Sequence, residues 1–174
     1  MNIRHATMQD TAGIAKVHVD SWRTTYRGII PQSYLDKLSY EQRTGLWEKN
    51  ISDVNNVIFV AENSDNEIIG FVVGATRETN LEPNASDLTA IYLLEQWHGK
   101  GIGKQLMKAM MQSFKKEGYQ KIYVDVLADN NTRNFYKYYG AEYVKTVQLN
   151  FDGTMIDEEI YVWNNIDEVV NKLS

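Results

Sequence analysis

The 174-residue chain contains no cysteine. Without cysteine there is no disulfide framework, no zinc site built from thiolates and no cysteine nucleophile. The three histidines lie far apart in the sequence, so no metal-ligand spacing stands out and we expect no metal. Residues 1–5 also lack the basic-then-apolar layout of a secretory signal. Together with the absence of cysteine, this leads us to expect a cytoplasmic protein.

Long apolar runs and an excess of positive charge are absent too. No stretch approaches the roughly 20 apolar residues that a membrane-spanning helix needs, so we expect no membrane association. The 18 Lys and Arg are outweighed by 23 Asp and Glu, which gives a formal net charge of −5. A protein that binds a phosphate backbone normally carries a basic face, so nucleic acid is not an expected partner. An acidic chain can favour a cationic substrate such as an amine, although the same charge also serves solubility alone.

The chain has only two prolines, Pro31 and Pro83, and no repeat or linker divides it. Its length and its hydrophobic fraction of 43% predict a single domain over residues 1–174. Residue patterns predict four helices, at 9–26, from Ser33 onward, after the glycines near 100, and at 131–139. They predict seven strands, at 3–6, 57–61, 68–75, 88–94, 121–127, 143–151 and 154–163, the last two joined by an Asp-Gly turn. This order predicts an α/β fold with a mixed, mostly antiparallel sheet.

The most informative segment is residues 98–104, where Gly99, Gly101 and Gly103 alternate between a predicted strand and a predicted helix. Glycine has no Cβ, so the backbone here can turn tightly and approach a ligand closely. The free N–H groups of the helix's first turn lie at the positive end of its dipole, which suits a phosphate or pyrophosphate. Lys100 and Lys104 add positive charge. These residues predict a phosphate cradle, with an ordinary strand-to-helix turn as the alternative.

Two familiar nucleotide loops do not fit this segment. A P-loop requires Gly-x-x-x-x-Gly-Lys-Ser/Thr, but Gln105 follows Gly103-Lys104 and His98 occupies the place of the first glycine. A dinucleotide fingerprint requires Gly-x-Gly-x-x-Gly, and its third glycine is replaced by Lys104 or Leu106, depending on the register. Neither an NTPase nor a Rossmann dinucleotide site is therefore expected.

The segment instead resembles the signature of the GNAT-type N-acetyltransferase superfamily, Gln/Arg-x-x-Gly-x-Gly/Ala after the fourth strand. Here the motif runs His98-x-x-Gly101-x-Gly103, so histidine replaces the usual glutamine or arginine and weakens one side-chain contact to phosphate. A register that starts at Gln96 would end the strand too early. The resemblance implies that the pyrophosphate of acetyl-CoA is bound by His98, Gly99, Lys100, Gly101, Ile102, Gly103 and Lys104. It also implies that the fourth and fifth strands splay apart.

The strand before the loop, Asp87-Leu88-Thr89-Ala90-Ile91-Tyr92-Leu93, is similar to the acidic-Leu-x-x-apolar-Tyr-apolar strand of that superfamily. There the strand carries a bulge, and its free backbone groups pair with the pantetheine arm of the cofactor. The resemblance implies such contacts at Ile91, Tyr92 and Leu93, with one N–H polarising the thioester carbonyl. An ordinary buried strand fits the same residues, because a bulge is not visible in a sequence.

Residues 130–141 are similar to the superfamily's Asn-x-Ala-Arg-x-Phe-Tyr-x-x-x-Gly-Phe/Gly segment. The resemblance implies that Asn130 binds the pantetheine arm and that Tyr136 contacts the cofactor and protonates the departing thiolate. Because the chain has 11 tyrosines, a packing role is the alternative for Tyr136. Residues 22–31 resemble a segment over the acceptor side in many bacterial members. Trp22, Tyr26 and Arg27 are therefore candidate substrate-binding residues, with an aromatic clamp between helices as the alternative.

The chemistry of such a transfer requires a place for a proton. An amine that attacks a thioester must be neutral, whereas alkyl amines have a pKa near that of lysine, about 10.4. Asp87 occupies the superfamily's acidic position and is the predicted catalytic base, with Glu78 as a second candidate. His5 and His18 are weaker candidates, because each lies on or near an apolar face.

These features together predict an enzyme that uses acetyl-CoA as cosubstrate and acetylates a primary amine of a small molecule or peptide. Direct attack within a ternary complex is expected, since no cysteine is present to form a covalent intermediate. Two alternatives are a CoA-binding sensor or regulatory domain without turnover, and an acyltransferase with another acyl donor or a hydroxyl acceptor. The sequence leaves the identity of the acceptor open, and it leaves a homodimer open as well.

Overall fold

A computed structural model describes all 174 residues, 1–174. Two short 3-10 turns, at Met8–Asp10 and Glu95–Trp97, accompany seven strands and six α-helices. The order is β1 (Asn2–His5), α1 (Thr11–Thr25), α2 (Gln32–Asp36), α3 (Tyr40–Ser52), β2 (Val57–Glu62), β3 (Ile68–Gly74), β4 (Ala85–Leu93), α4 (Ile102–Lys116), β5 (Lys121–Leu127), α5 (Thr132–Tyr138), β6 (Glu142–Phe151), β7 (Thr154–Trp163) and α6 (Ile166–Leu173). No helix combines the length and the apolar composition that crossing a membrane requires.

All seven strands form one sheet in the order β1-β2-β3-β4-β5-β7-β6. Every neighbouring pair is antiparallel except β4 and β5, which α4 connects and which run parallel. The predicted mixed, mostly antiparallel sheet of seven strands is confirmed. The hairpin turn between β6 and β7 is confirmed as well, because Asp152 and Gly153 both have positive φ, at 51° and 88°, as a type I′ turn requires.

The parallel pair separates halfway along its length. Pairing between β4 and β5 begins at Ala85 and ends at Leu88, although β4 continues to Leu93. A bulge lies at the point of separation, since Gly74 pairs with Leu88 and Val73 pairs with Ala90, which leaves one extra residue in β4. A bulge bends its strand and increases the local twist. The predicted splay of these two strands is therefore confirmed, and it opens a gap in the sheet.

The structure has two more helices than the four that the sequence predicts. The region predicted as one helix from Ser33 divides into α2 and α3, because Ser39 is extended (φ −134°, ψ 135°) and its side chain caps α3. The second additional helix is α6, whose N-cap residue Asn165 accepts hydrogen bonds from two N–H groups of the first turn. Its buried positions Ile166, Val169 and Leu173 have helical spacing, which is the signal that the sequence-based assignment missed.

Helices cover both faces of the sheet. The predicted apolar face of α4 is confirmed, because Ile102, Leu106, Met110 and Phe114 are all at most 3% exposed. On β3, Gly74 lies against α4, whereas Phe71 contacts the rings of residues on α1 and α3. Since alternate strand residues point to opposite faces, α4 covers one face and α1 and α3 cover the other. The gap between β4 and β5 therefore connects the two faces.

Candidate active site

A cavity of about 470 Å³ opens where β4 and β5 separate. This volume lies within the range of small-molecule and cofactor sites. Its lining residues lie in or next to α1, β4, α4, β5 and α5. They are Thr25, Tyr26, Leu88, Thr89, Ala90, Ile91, Tyr92, Leu93, His98, Gly99, Gly101, Ile102, Gly103, Lys104, Val124, Asp125, Val126, Asn130, Thr132, Phe135, Tyr136 and Tyr139. The cavity thus extends from the end of α1, through the gap in the sheet, to the start of α4.

The glycine loop has the geometry of an anion cradle. Gly99 and Gly101 have φ values of 72° and 75°, in the left-handed region that favours glycine. A Cβ added at either residue would have no atom within 4 Å, so the space above the loop is open. Gly101 is the N-cap of α4 and offers no side-chain cap, so the N–H groups of the first turn are available to a ligand. The motif register that starts at His98 therefore places its glycines at the start of the helix.

His98 connects the loop to the preceding strand. Its Nε2 lies 2.9 Å from the carbonyl oxygen of Leu93. The 3-10 turn Glu95–Trp97 lies between β4, which ends at Leu93, and the loop. Lys100 stacks its ammonium over the Trp97 ring, 4.6 Å from the ring centre, and lies outside the cavity. The other six residues predicted for the loop all line the cavity.

The edge of β4 that faces β5 has no strand partner beyond Leu88. Ile91, Tyr92 and Leu93 lie in this unpaired part, and all three line the cavity. The backbone of β4 is therefore free to pair with an extended ligand in the gap, as an added strand would.

Asn130 and Tyr136 lie on the opposite wall. Asn130 is 8% exposed, and its Oδ1 accepts a hydrogen bond from the N–H of Thr132 at 3.0 Å. Tyr136 is 4% exposed, and its ring packs edge-on against the Trp163 ring, with 5.6 Å between the ring centres. Burial, together with the nearby Tyr26, raises the pKa of Tyr136 well above its usual value. Its hydroxyl is therefore protonated near neutral pH and can act as a donor.

Of the three predicted acceptor-binding residues, only Tyr26 lines the cavity. Its hydroxyl forms a hydrogen bond of 3.0 Å with the hydroxyl of Tyr92, and burial raises the pKa of both groups. The Trp22 ring packs against the Tyr26 ring, with 4.9 Å between their centres, but borders a neighbouring cavity. Arg27 is exposed and lies outside both cavities.

Asp87, the predicted base, lies outside the cavity. It is 4% exposed, and its Oδ2 accepts hydrogen bonds from the backbone N–H of Arg77 at 3.0 Å and from Nδ2 of Asn80 at 3.1 Å. Its carboxylate therefore holds the loop between β3 and β4. Glu78 is exposed in that same loop. Neither residue is therefore proposed as the base, because the carboxylate of Asp87 is already hydrogen-bonded to the loop and Glu78 is exposed.

Two carboxylates near the cavity were missed by the sequence analysis. Asp125 of β5 lines the cavity and forms an ion pair with Arg77. Glu158 of β7 lies directly across from Leu127 of β5, on the same face as Asp125. An acidic residue between valines in a strand was the visible signal for Asp125. No local signal exists for Glu158, because its position depends on the pairing of β5 with β7.

Glu158 differs from its neighbours in having no partner within the chain. Asp157 accepts a hydrogen bond from Gln148, and Glu159 accepts one from Arg133. Burial, followed by the charge of Asp125, raises the pKa of Glu158 above the usual glutamate value.

Comparison with known proteins agrees with this geometry. The sequence profile of the acetyltransferase (GNAT) family matches residues 17–141. The chain is 31% identical over 174 residues to the uncharacterized N-acetyltransferase YuaI of Bacillus subtilis (strain 168), covering 100% of this chain and 99% of that protein. It is 28% identical over 122 residues to a spermidine N(1)-acetyltransferase of Thermoplasma acidophilum, covering 68% of this chain and 73% of that protein. The crystal structure of PaiA N-acetyltransferase from Thermoplasma acidophilum, in complex with coenzyme A, shares the fold with a TM-score of 0.73 at 24% identity, covering 90% of this chain and 96% of that chain.

Proposed function

Since the chain belongs to the acetyltransferase (GNAT) family, we propose that it brings acetyl-CoA and a primary amine together in this cavity and transfers the acetyl group directly between them. The chain is an acetyl-CoA-dependent N-acetyltransferase. The observation that carries the proposed mechanism is the cavity itself. One continuous space joins the glycine loop, the unpaired edge of β4 and Tyr136.

The residues present fit acetyl-CoA. Gly99, Gly101 and Gly103, with the start of α4, would hold the pyrophosphate through backbone N–H groups. The unpaired backbone of β4 and the amide of Asn130 would hold the pantetheine arm. When bound, acetyl-CoA supplies an acyl carbon that is activated as a thioester.

Tyr136 is the proposed acid. A hydroxyl whose pKa is raised by burial keeps its proton at neutral pH, and this one lines the gap where the sulfur would leave. It would donate that proton to the departing thiolate. Tyr26 and Tyr92, joined by their hydrogen bond, would shape the acceptor side of the gap.

Glu158 is the proposed base that takes up a proton from the acceptor amine. Asp125 is held by Arg77, whereas Glu158 has no partner and lies near Asp125 and Tyr26, with which its charge interacts. Its carboxylate would bind the acceptor ammonium and take up one proton, directly or through water, which leaves a neutral amine to attack. The second proton that the nitrogen loses as the amide forms would replace the one that Tyr136 gives to the thiolate.

The acceptor is proposed to be a primary amine of a small molecule or a peptide. The Thermoplasma relative is named for spermidine, which makes spermidine one amine to test. We also propose one acetyltransferase domain over residues 1–174 and a cytoplasmic setting, which the absence of cysteine favours.

Incubation with acetyl-CoA and a panel of primary amines, followed by assay of free thiol, tests the proposal. At least one amine is expected to give turnover. With that amine Tyr136→Phe should lower kcat about 10²-fold or more, the range for a lost general acid. Tyr138→Phe is the matched control, because Tyr138 is 77% exposed and should leave kcat unchanged.

Two results would contradict parts of this proposal. Equally slow thiol release with every amine, despite binding of CoA, would indicate a CoA-binding sensor rather than an enzyme. An unchanged kcat in Tyr136→Phe would remove the acid assignment and leave the reaction in place.

A further inference from the structure

A second cavity, of about 290 Å³, lies beside the active-site cavity, between α1, α3 and the bulged part of β4. The two cavities share Thr89, Ala90 and Tyr92 as lining residues. A molecule in the second cavity is therefore one side chain away from the proposed site of acetyl transfer. Trp22, which the sequence analysis singled out, lines this second cavity rather than the first.

His18, a lining residue of this cavity, has one N–H group to donate. The residue is 9% exposed, and its Nδ1 lies 3.1 Å from Nε1 of Trp47. An indole N–H can only donate, so Nδ1 accepts and carries no proton. Burial lowers the pKa of His18 to about 4, so the neutral ring keeps its single proton on Nε2 at neutral pH. Nε2 makes no hydrogen bond within the chain and is the ring nitrogen turned away from Trp47.

A second donor lies next to it. Nε1 of Trp22 is buried and makes no hydrogen bond of normal geometry, although it lies near enough to the Tyr92 hydroxyl to act on the pKa of that group. The Trp22 ring centre is 5.5 Å from that of His18. No carboxylate lines the cavity, and the positive charge of Arg43 acts on His18. The other walls are aromatic, aliphatic, amide or hydroxyl groups. A buried donor without an acceptor is costly, so the N–H of Trp22, beside that of His18, matches a ligand oxygen.

We propose that this cavity binds a carbonyl or carboxylate oxygen of the amine acceptor, held by the Nε2–H of His18 and the Nε1–H of Trp22. The acceptor's amine then extends past Tyr92 into the active-site cavity. The rings of His18 and Tyr92 are stacked with 6.0 Å between their centres, so several bonds must separate the oxygen from the amine. The enzyme therefore selects amines that carry such an oxygen over plain alkyl amines and polyamines. This inference rests on the proposed function.

Four amines with the same carbon skeleton test the selection: δ-aminovaleramide, δ-aminovalerate, pentylamine and cadaverine. The amide or the carboxylate is expected to have a kcat/KM about tenfold above that of pentylamine, which one net hydrogen bond supports. The amide and carboxylate arms identify which oxygen is bound. Trp22→Phe should reduce the preference toward unity, whereas His5→Asn, which changes an exposed histidine on β1, should not.

A binding measurement separates this inference from the proposed function. The chain has only three histidines, so side-chain NMR of isotope-labelled histidine can be assigned with single variants. The Nε2 of His18 is expected to be protonated in the free protein and to shift saturably with δ-aminovaleramide or δ-aminovalerate but not with pentylamine. An equal shift with pentylamine, no shift with any of the four, or a preference for cadaverine would overturn the inference. The NMR signal reports binding even if no amine is acetylated.

Discussion

An acceptor amine must lose a proton, and the carboxylates in and near the cavity differ in whether they are free to accept it. Asp125 forms an ion pair with Arg77, and Asp87 accepts two hydrogen bonds from the loop that follows β3. Glu158 forms no hydrogen bond or ion pair within the chain, and its pKa is raised by burial and by the charge of Asp125. A carboxylate with a raised pKa is a stronger base once it is ionised, which suits proton uptake near neutral pH.

Replacing Glu158 by glutamine is therefore expected to lower kcat/KM about 10²-fold. A base works only when ionised, so the wild-type rate should rise as the pH rises through the folded-state pKa of Glu158. The variant should lack this rise. Four charged or titratable groups face Glu158. They are Asp125 from β5, Arg77 from the β3–β4 loop, Tyr26 at the C-cap of α1, and Lys145, diagonally across on β6. The measurement is a profile of kcat/KM against pH for both proteins.

Asp157→Asn is the matched control, because Asp157 is the exposed neighbour of Glu158 and points to the opposite face of β7. It removes the same charge and should leave the profile unchanged.

The raised pKa of Glu158 also affects stability, because the folded protein favours the neutral form of this side chain. The free energy of unfolding that Glu158 contributes therefore falls as the pH rises above the pKa of the residue in the unfolded chain. Glu158→Gln should thus melt no lower than wild type at neutral pH. A wild-type pH profile in this variant would show that another group takes the proton.

At the level of the elements, α4 packs closely on β3 because β3 ends in a glycine. A Cβ at Gly74 would lie 2.5 Å from both Sδ of Met110 and Cζ of Phe114, which are 0% and 3% exposed. Gly74→Ala should therefore overpack the core and lower the free energy of unfolding by about 1–3 kcal/mol. Gly45 lies within α3 with no atom within 4 Å of an added Cβ. Gly45→Ala should raise that free energy by about 0.5–1 kcal/mol, because alanine restricts the unfolded chain.

Urea unfolding of the two variants measures both effects, with equal denaturant slopes as the check that only stability has changed. The same substitution is made twice, so its chemistry is held constant and only the surroundings differ. A loss of stability in both variants would mean that α3 does not have room at Gly45. A gain in both would mean that α4 can move away from β3.

Elements with a strong local signal were predictable from the sequence. The apolar spacing of α4 and the Asp152-Gly153 turn each determine local structure through a few neighbouring residues. The division between α2 and α3 was not predicted, because the extended Ser39 that separates them reads equally well as an interior helix residue. The short α6 was missed because eight residues give only a weak periodic signal.

At the scale of the whole molecule, the predictable part of the site is the part that lies in contiguous motifs. The glycine loop, residues 91–93 of β4 and Tyr136 line one cavity, as their motifs led us to expect. Glu158 and the His18 cavity were not predicted, because their positions depend on strand pairing and on helix packing between residues far apart in sequence. Asp125 was missed although an acidic residue between valines in a strand was visible. Asp87 was predicted as the base from its motif position alone, which did not reveal that its carboxylate is hydrogen-bonded to the loop between β3 and β4.

Binding of CoA should stabilise the whole fold, because the proposed site is lined by residues of β4, α4 and α5 on the two sides of the gap in the sheet. At a CoA concentration of 100 times Kd, linkage gives about 2.7 kcal/mol of stabilisation. For a protein of this size that corresponds to a rise in Tm of about 5–10 °C. Gly101→Val should abolish most of this rise, because valine strains a residue with φ of 75° at the N-cap of α4 and fills the open space above the loop.

The matched control is a valine substitution that causes the same backbone strain at a glycine outside the loop. Gly118 follows α4, has φ of 90° and has no atom within 4 Å of an added Cβ. Gly118→Val should therefore lower the Tm of the free protein much as Gly101→Val does, yet keep the full rise with CoA. Thermal melts of the three proteins with and without CoA separate the two effects, since each protein is compared with its own free form. A full rise in Gly101→Val would place the pyrophosphate elsewhere, because no cradle at the start of α4 could accommodate that side chain unchanged.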